Sequence, residues 1–304
     1  MSSKSLQTNR EVTAALSDQR PVVALESSVI AQGLPDPQNI ETARRLERII
    51  RDQAAAPATV AVLDGRLCVG LDEAQLERIA KSEDIKKLST RDLAIAVPRG
   101  WNGATTVAAT IWIAHRAGIR VFATGGIGGV HRGPLPDISA DLPELARTPM
   151  IVVCSGVKIV LNLPATREWL ETHGITVIGY GCEEMPAFYS RRSGLAVDVR
   201  CDSPEEVVQI FKTQHKLGIQ TALLVTVPVP VEAEVSTSSL EKLLDESLND
   251  AEASSVTGRE LTPFLLARLV ERSTGATLRS NIALLENNAR VATRIATALT
   301  SDSF

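Results

Sequence analysis

Residues 21–54 read PVVALESSVIAQGLPDPQNIETARRLERIIRDQA, and this stretch sets the fold class. Pro21 to Ile30 is a near-continuous apolar run, the pattern of a strand buried on both faces. Asn39 to Ala54 then shows helical spacing, with Ile40, Ala43, Leu46, Ile49 and Ile50 on one face. Pro35 and Pro37 stiffen the connection, and Asn39 is placed to cap the helix. A buried strand followed by an amphipathic helix is the repeating unit of a layered α/β protein. Residues 59–70, TVAVLDGRLCVG, interrupt the alternation: two short strands flank Asp64-Gly65, a tight hairpin turn. An antiparallel pair inside such a chain makes the sheet mixed.

Further along, Leu71 to Lys81 reads as a short helix and Leu93 to Val97 as a strand. Ala104 to Ala117 reads as an apolar helix closed by Gly118. Strands follow at Ile119 to Ala123, Met150 to Cys154 and Ile175 to Tyr180. Ser203 and Pro204 open a helix, as cap and first residue. Ala222 to Val229 is a late strand, and the chain reads as helices from Ser239. The expected architecture is a three-layer α/β/α sandwich with a mixed central sheet and a helical C-terminal section. Without repeats or a linker, residues 1–304 read as one domain.

A chain of 304 residues hides roughly 75% of its unfolded surface, enough for a sizeable core. With 44% hydrophobic and 22% charged residues it has an ordinary globular composition, which excludes disorder for most of its length. Aromatic residues make up only 3%, so Val, Ile, Leu and Ala must build the core. The net charge of −4 argues against nucleic acid or an anionic membrane as partner. No apolar run approaches the ~18 residues of a membrane span, and the first residues lack the apolar segment of a signal peptide. Cys68, Cys154, Cys182 and Cys201 form no CxxC pair and read as reduced, mostly buried thiols. These features fit a cytoplasmic protein.

Four segments at strand ends carry chemistry. In open α/β sheets ligands bind at that edge. Glu26 lies in the otherwise apolar run 21–30, where a carboxylate is costly unless it is paired or catalytic. FATGGIGGVHRG places five glycines between residues 125 and 133, with His131 and Arg132 beside them. Such a loop either lets backbone N–H groups approach an anion or only satisfies turn geometry. In PDISADL, Asp137 and Asp141 flank Ser139 and suit either a hard divalent cation or helix capping. In IVVCSGVKIVLN, Lys158 follows a buried strand. Desolvation there favours a neutral amine able to attack a carbonyl, whereas the alternative is a lysine that snorkels to solvent. Lys87 and Arg91, just ahead of the expected strand 93–97, form either an anion clamp or a solvated face. The start of the helix after NGATTVA is a ready anion site. Asn281, Asn287 and Asn288 supply donor and acceptor together, as reading a nucleobase edge requires, or serve as caps. Together these residues suit a phosphorylated sugar with a reactive carbon.

Taken as a set, ALESSVIAQGLP, NGATTVA, FATGGIGGVHRG, DISADL, VVCSGVK, TPFLL and SNIALLENN resemble the pseudouridine-5′-phosphate glycosidase family, which includes indigoidine synthase A-like proteins. The resemblance runs from about Pro21 to about Ala298. It implies an enzyme that cleaves a C–C glycosidic bond, taking pseudouridine 5′-phosphate and water to uracil and ribose 5-phosphate. It further implies Mn²⁺ as cofactor, a homotrimer, Lys158 as nucleophile, Glu26 as proton donor and Asp137 as metal ligand. Substrate contacts fall on Lys87, Val107, Ser139, Ala140 and Asp141, with His131 and Asn281 as further contacts. Gln32, Val157 and Val227 depart from the family pattern, and the stretch from Gly133 to Asp137 is about two residues short of it. A Schiff-base aldolase and a non-catalytic sugar-phosphate module are the competing readings.

Overall fold

The computed structural model describes residues 6–132, 137–254, 256 and 261–301. The first half contains β1 (Leu6–Thr8), α1 (Arg10–Ser17), β2 (Val22–Leu25), α2 (Gln38–Arg51), β3 (Ala56–Leu63), β4 (Arg66–Val69) and α3 (Glu73–Lys81). β5 (Lys86–Leu88), α4 (Thr90–Arg99), β6 (Gly103–Thr105), α5 (Val107–Arg116), β7 (Val121–Ala123), α6 (Asp141–Leu145) and β8 (Ile151–Cys154) follow. The chain continues with α7 (Leu163–Thr172), β9 (Thr176–Tyr180), β10 (Val199–Cys201), α8 (Pro204–Lys216) and β11 (Leu223–Thr226). Three helices close it: α9 (Thr237–Ala253), α10 (Leu261–Arg272) and α11 (Ala276–Ser301).

The main sheet runs β1-β4-β3-β2-β7-β8-β11-β9-β10, and β6 with β5 branches from β3. From β3 through β2, β7, β8, β11 and β9 to β10 every pairing is parallel. β2, β8 and β11 are buried on both faces, which is why they read as apolar runs. The hairpin β3–β4 supplies the antiparallel part, with Leu63 opposite Arg66 and Asp64 and Gly65 both at positive φ, as expected for Asp-Gly. The alternation along β3 shows the two sides of the sheet. Val60 and Val62 join the large core, whereas Ala61 and Leu63 join a smaller cluster with Ile40 and Ala43 of α2 and Leu76 and Ile79 of α3. The fold is a three-layer α/β/α sandwich around a mixed sheet, with α9–α11 as a helical C-terminal section.

Three expected elements change: the helix read from Ala104 begins only at Val107, because Ala104 and Thr105 belong to β6. Leu93–Val97 is not a strand but the middle of α4. The Asp92 carboxylate accepts the Ser89 N–H at 2.9 Å, Leu93 and Ala96 face the core one turn apart, and Gly100 ends the helix at φ +63°. A five-residue apolar run does not distinguish strand from helix; its flanking cap does. Asn39, in turn, lies inside α2 rather than capping it. Its side-chain amide donates to the carbonyls of Ile30 and Ala80, binding α2 to the turn after β2 and to α3.

Candidate active site

β2 continues into β3 on one side and β7 into β8 on the other, so the direction of winding changes between β2 and β7. A doubly wound sheet opens a crevice at the carboxyl end of such a switch. Here a cavity of about 560 Å³ lies there, walled by residues that follow β2, β7 and β8 and by the first turn of α5.

Glu26 is not inside the strand but the first residue past its end. The strand stops because polar side chains take over the backbone partners. The Ser27 hydroxyl donates to the Val60 carbonyl at 2.6 Å and accepts the Thr105 N–H at 2.9 Å. Val29–Gly33 then forms a π-helical turn. Glu26 is only 5% exposed, and each carboxylate oxygen accepts one hydroxyl, Ser28 on Oε2 and Thr124 on Oε1. Thr124 follows β7, so the carboxylate bridges the two strands of the switch.

Lys158 is placed by the turn after β8. Gly156 adopts φ +80°, which is open only to glycine here because a side chain would strike the Pro186 carbonyl. The Ile127 N–H donates to the Gly156 carbonyl at 3.0 Å, and the Lys158 N–H donates back to Ile127 at 3.1 Å. The lysine backbone is thereby stitched to the glycine loop. Its amine lines the cavity with no hydrogen-bond or ion-pair partner among the described residues. Burial pushes the neighbouring Cys154 thiol up to about 12, so it stays protonated at neutral pH and is no competing nucleophile.

The first turn of α5 forms another wall. Thr106 N–H donates to Leu88 at 3.0 Å, and Ala109 N–H leans on the Thr106 hydroxyl at 3.5 Å. Ala108 N–H donates to Asp141 Oδ1 at 2.9 Å. Among the described residues only Val107 N–H in this first turn lacks an acceptor, and Val107 borders the cavity. The sequence suggested that Ser139 or Asp141 caps its own helix. Asp141 instead serves the N-terminus of α5 and, through Oδ2, the Gly128 N–H at 2.9 Å, while Ser139 Oγ accepts the Asp141 N–H at 3.3 Å. Lys87 and Arg91 also border the cavity, from β5 and the first turn of α4 rather than from ahead of a strand.

His131 and Asp137 approach with Nδ1 and Oδ2 at 3.9 Å, and His131 N–H donates to the Asp137 carbonyl at 2.8 Å. Gly133, the last glycine of that loop, lies outside the described residues, as does most of the shortened stretch up to Asp137. No group of three or more His, Cys, Asp or Glu side chains gathers among the described residues. The half-exposed Asp137 therefore offers one oxygen ligand, a donor set that fits a hard cation retaining most of its waters.

The asparagine cluster separates. Asn281 borders the cavity, 6% exposed. Asn287 donates to the Pro228 carbonyl at 3.3 Å. Asn288 is buried and donates to the Thr124 carbonyl at 2.8 Å and to Ser155 Oγ at 3.1 Å, tying the ends of β7 and β8 to α11. Glu26, Lys158, Lys87, Val107, His131, Asp137, Ser139, Ala140, Asp141 and Asn281 all border this one cavity. Of the departures from the family pattern, Gln32 lies on the wall, its side-chain amide donating to Ile85 at 3.3 Å, whereas Val157 and Val227 are core residues. Sequence reading missed Ser28 and Thr124 as partners of Glu26. It also missed Phe188, buried at φ +63°, whose ring closes the cavity over Gly126. A bulky residue in the left-handed region leaves no sequence signal, and such strain gathers at functional sites. Thr262, Pro263 and Leu266 of α10, all within TPFLL, complete the wall.

Comparison with known proteins follows the same outline. Residues 11–298 match the model of the family described as indigoidine synthase A like protein. A pseudouridine-5′-phosphate glycosidase of Caldanaerobacter subterraneus subsp. tengcongensis is 48% identical over 293 residues, covering 96% of this chain and 95% of that one. The enzyme of the same name from Deinococcus radiodurans is 50% identical over 288 residues, 94% of this chain and 92% of its own. Among solved structures, an indigoidine synthase A-like protein from Thermotoga maritima superposes with a TM-score of 0.89 at 38% identity, over 97% of this chain and 96% of that one. A prealnumycin C-glycosynthase in complex with ribulose 5-phosphate does so equally, with a TM-score of 0.89 at 38% identity over 97% of both chains. With a model match over nearly its whole length and relatives half identical throughout, the chain belongs to the indigoidine synthase A-like family.

Proposed function

We propose that this chain is a pseudouridine-5′-phosphate glycosidase, converting pseudouridine 5′-phosphate and water to uracil and ribose 5-phosphate. One observation carries the reading. A cavity at the β2–β7 switch joins a lysine whose amine has no partner among the described residues, Lys158, a buried carboxylate, Glu26, and a helix N-terminus with one N–H to spare among those residues, Val107. Relatives of this name match the chain end to end. The solved C-glycosynthase extends the chemistry of the fold to a bound sugar phosphate.

The base of pseudouridine is joined through carbon, a poor leaving group, and the proposed residues answer that difficulty. The Lys158 amine bonds to C1′ as the C1′–O4′ bond opens, and the ring oxygen takes up the proton that the amine sheds. Glu26, as general acid, gives its proton to the uracil carbon, a task worth about 10²–10⁴-fold. The nitrogen lone pair then replaces the C1′–C bond, whose electrons stay with the base. Uracil departs and C1′ remains as a protonated imine on Lys158. Water adds to the imine and its proton returns to Glu26, and collapse of the adduct releases ribose 5-phosphate and the free amine. Val107 N–H, Lys87 and the Ser139–Ala140 turn hold the phosphate, and that remote binding energy positions C1′. His131 and Asn281 face the base or sugar. Asp137 would hold the cation, Mn²⁺ by family resemblance, through waters. When bound, the cation supplies positive charge that orients and polarises phosphate or sugar oxygens. The assembly proposed is a homotrimer of single-domain chains in the cytoplasm.

The test is incubation of the purified protein with pseudouridine 5′-phosphate and Mn²⁺, following uracil by chromatography. Uracil should appear, and chelator or Asp137→Ala should suppress it. A folded, metal-loaded protein that releases none, or that cleaves sugar phosphates in a retro-aldol direction instead, would overturn the assignment.

A further inference from the structure

Asp141 belongs to the turn expected to touch substrate, yet each oxygen of its carboxylate already accepts a backbone N–H. Oδ1 accepts the Ala108 N–H and Oδ2 the Gly128 N–H, both at 2.9 Å, and the residue is only 6% exposed. These two N–H groups belong to different parts of the sheet, since Ala108 is in the first turn after β6 and Gly128 lies in the loop after β7. We propose that Asp141 is a positioning residue through its side chain: the carboxylate clasps the glycine loop to the first turn of α5 and so aims Val107 N–H at the phosphate, and is itself held off the substrate. The proposal rests on the reading of that cavity as a sugar-phosphate site.

A carboxylate at a helix N-terminus is stabilised by the free N–H groups and by the helix dipole. By taking Ala108 N–H it leaves one donor of the first turn, Val107, with no acceptor among the described residues. The contact also requires glycine at position 128, where a Cβ would lie 2.7 Å from Asp141 Oδ2 and closer still to Ser139 Oγ. Finally, a carboxylate beside a phosphate repels it through space. Direct contact and clasping therefore make opposite predictions for an anion when the charge is removed.

The experiment is Asp141→Asn, with inorganic phosphate and uracil titrated separately by calorimetry in excess chelator. Asparagine keeps one acceptor but turns an NH₂ toward the other backbone N–H, which opens the clasp. Phosphate affinity should fall about tenfold or more, the worth of one charge-assisted hydrogen bond, while uracil affinity stays within about twofold. Phosphate binding that is unchanged or tighter would overturn the proposal in favour of direct contact. Equal weakening of phosphate and uracil would overturn it in favour of general loosening. If the variant does not fold, amide hydrogen exchange on the wild-type protein decides. Ala108 and Gly128 should be protected, and Val107 should slow only when phosphate is added; fast exchange at Gly128 would sink the clasp. A wild-type protein that binds phosphate but neither binds nor releases uracil would refute the proposed reaction and leave the clasp standing.

Discussion

Val107→Pro isolates a single hydrogen-bond donor. Proline is well suited to the first helical position, because its fixed φ is helical and its missing N–H is one the helix does not use. Thr106 sits at φ −72° and ψ 174°, the extended region that a residue before proline prefers. Val107 is buried, and a pyrrolidine ring occupies nearly the volume of its side chain, so repacking should cost about 1 kcal/mol. What is removed is the one N–H of that turn without an acceptor among the described residues. A hydrogen bond to a charged group contributes about 1.5–3 kcal/mol, or about 10- to 150-fold in affinity. The assay is calorimetric titration with ribose 5-phosphate, beside kcat/KM for pseudouridine 5′-phosphate and a thermal melt. Both affinity and kcat/KM should drop by that factor while the melt moves by a few degrees. A folded variant that binds ribose 5-phosphate within twofold of wild type would refute the idea that the α5 N-terminus is the phosphate donor.

Lys158→Ala should abolish turnover in a folded protein, and borohydride added with ribose 5-phosphate should attach the reduced sugar to Lys158 of the wild type. Mass spectrometry showing no adduct, or activity close to wild type in the variant, would remove the imine step. Asn288→Leu should lower stability by about 1–3 kcal/mol for each buried group it orphans, the Thr124 carbonyl and the Ser155 hydroxyl. Urea unfolding unchanged within error would show that the strand ends are held by other means. Glu47 makes a pH prediction. Burial raises its carboxyl above the ordinary value of 4.5, with the Thr59 hydroxyl and Arg51 acting in the opposite direction. The folded state then holds this proton more tightly than the unfolded chain, so Glu47 costs stability as pH rises from 4.5 through the raised folded value. The stability of wild type relative to Glu47→Gln should therefore be higher at pH 4 than at pH 7 by urea unfolding, and a difference that grows in the opposite direction would refute the sign.

Much of the site was legible because its residues break a pattern. Glu26 is a charge against an apolar run, Lys158 an amine just past one, and the glycines of 125–129 are dense where a sheet should continue. Each is an anomaly visible in its own ten residues. The partners were not visible. Thr124 is 98 residues from Glu26, and Ser28 and Thr124 are ordinary hydroxyl residues until the adjacency of β2 and β7 puts them on the two oxygens of one carboxylate. The three asparagines near residue 285 looked alike, yet only Asn281 borders the cavity, because helical phase turns Asn287 and Asn288 toward backbone carbonyls.

The sequence by itself determined the layers. Continuous apolar runs require strands covered on both faces, Asp-Gly requires a hairpin, and the spacing of Ile40, Ala43, Leu46 and Ile50 requires a helix on one side. These are local consequences of backbone geometry and of keeping apolar groups from water. Only the tertiary structure decided that Phe188 closes the cavity from a left-handed backbone and that Asp141 serves the helix of another segment rather than its own. In each case the deciding partner is remote in sequence or is a backbone group with no residue identity, and a hydrogen bond to a remote amide leaves no trace in the order of side chains.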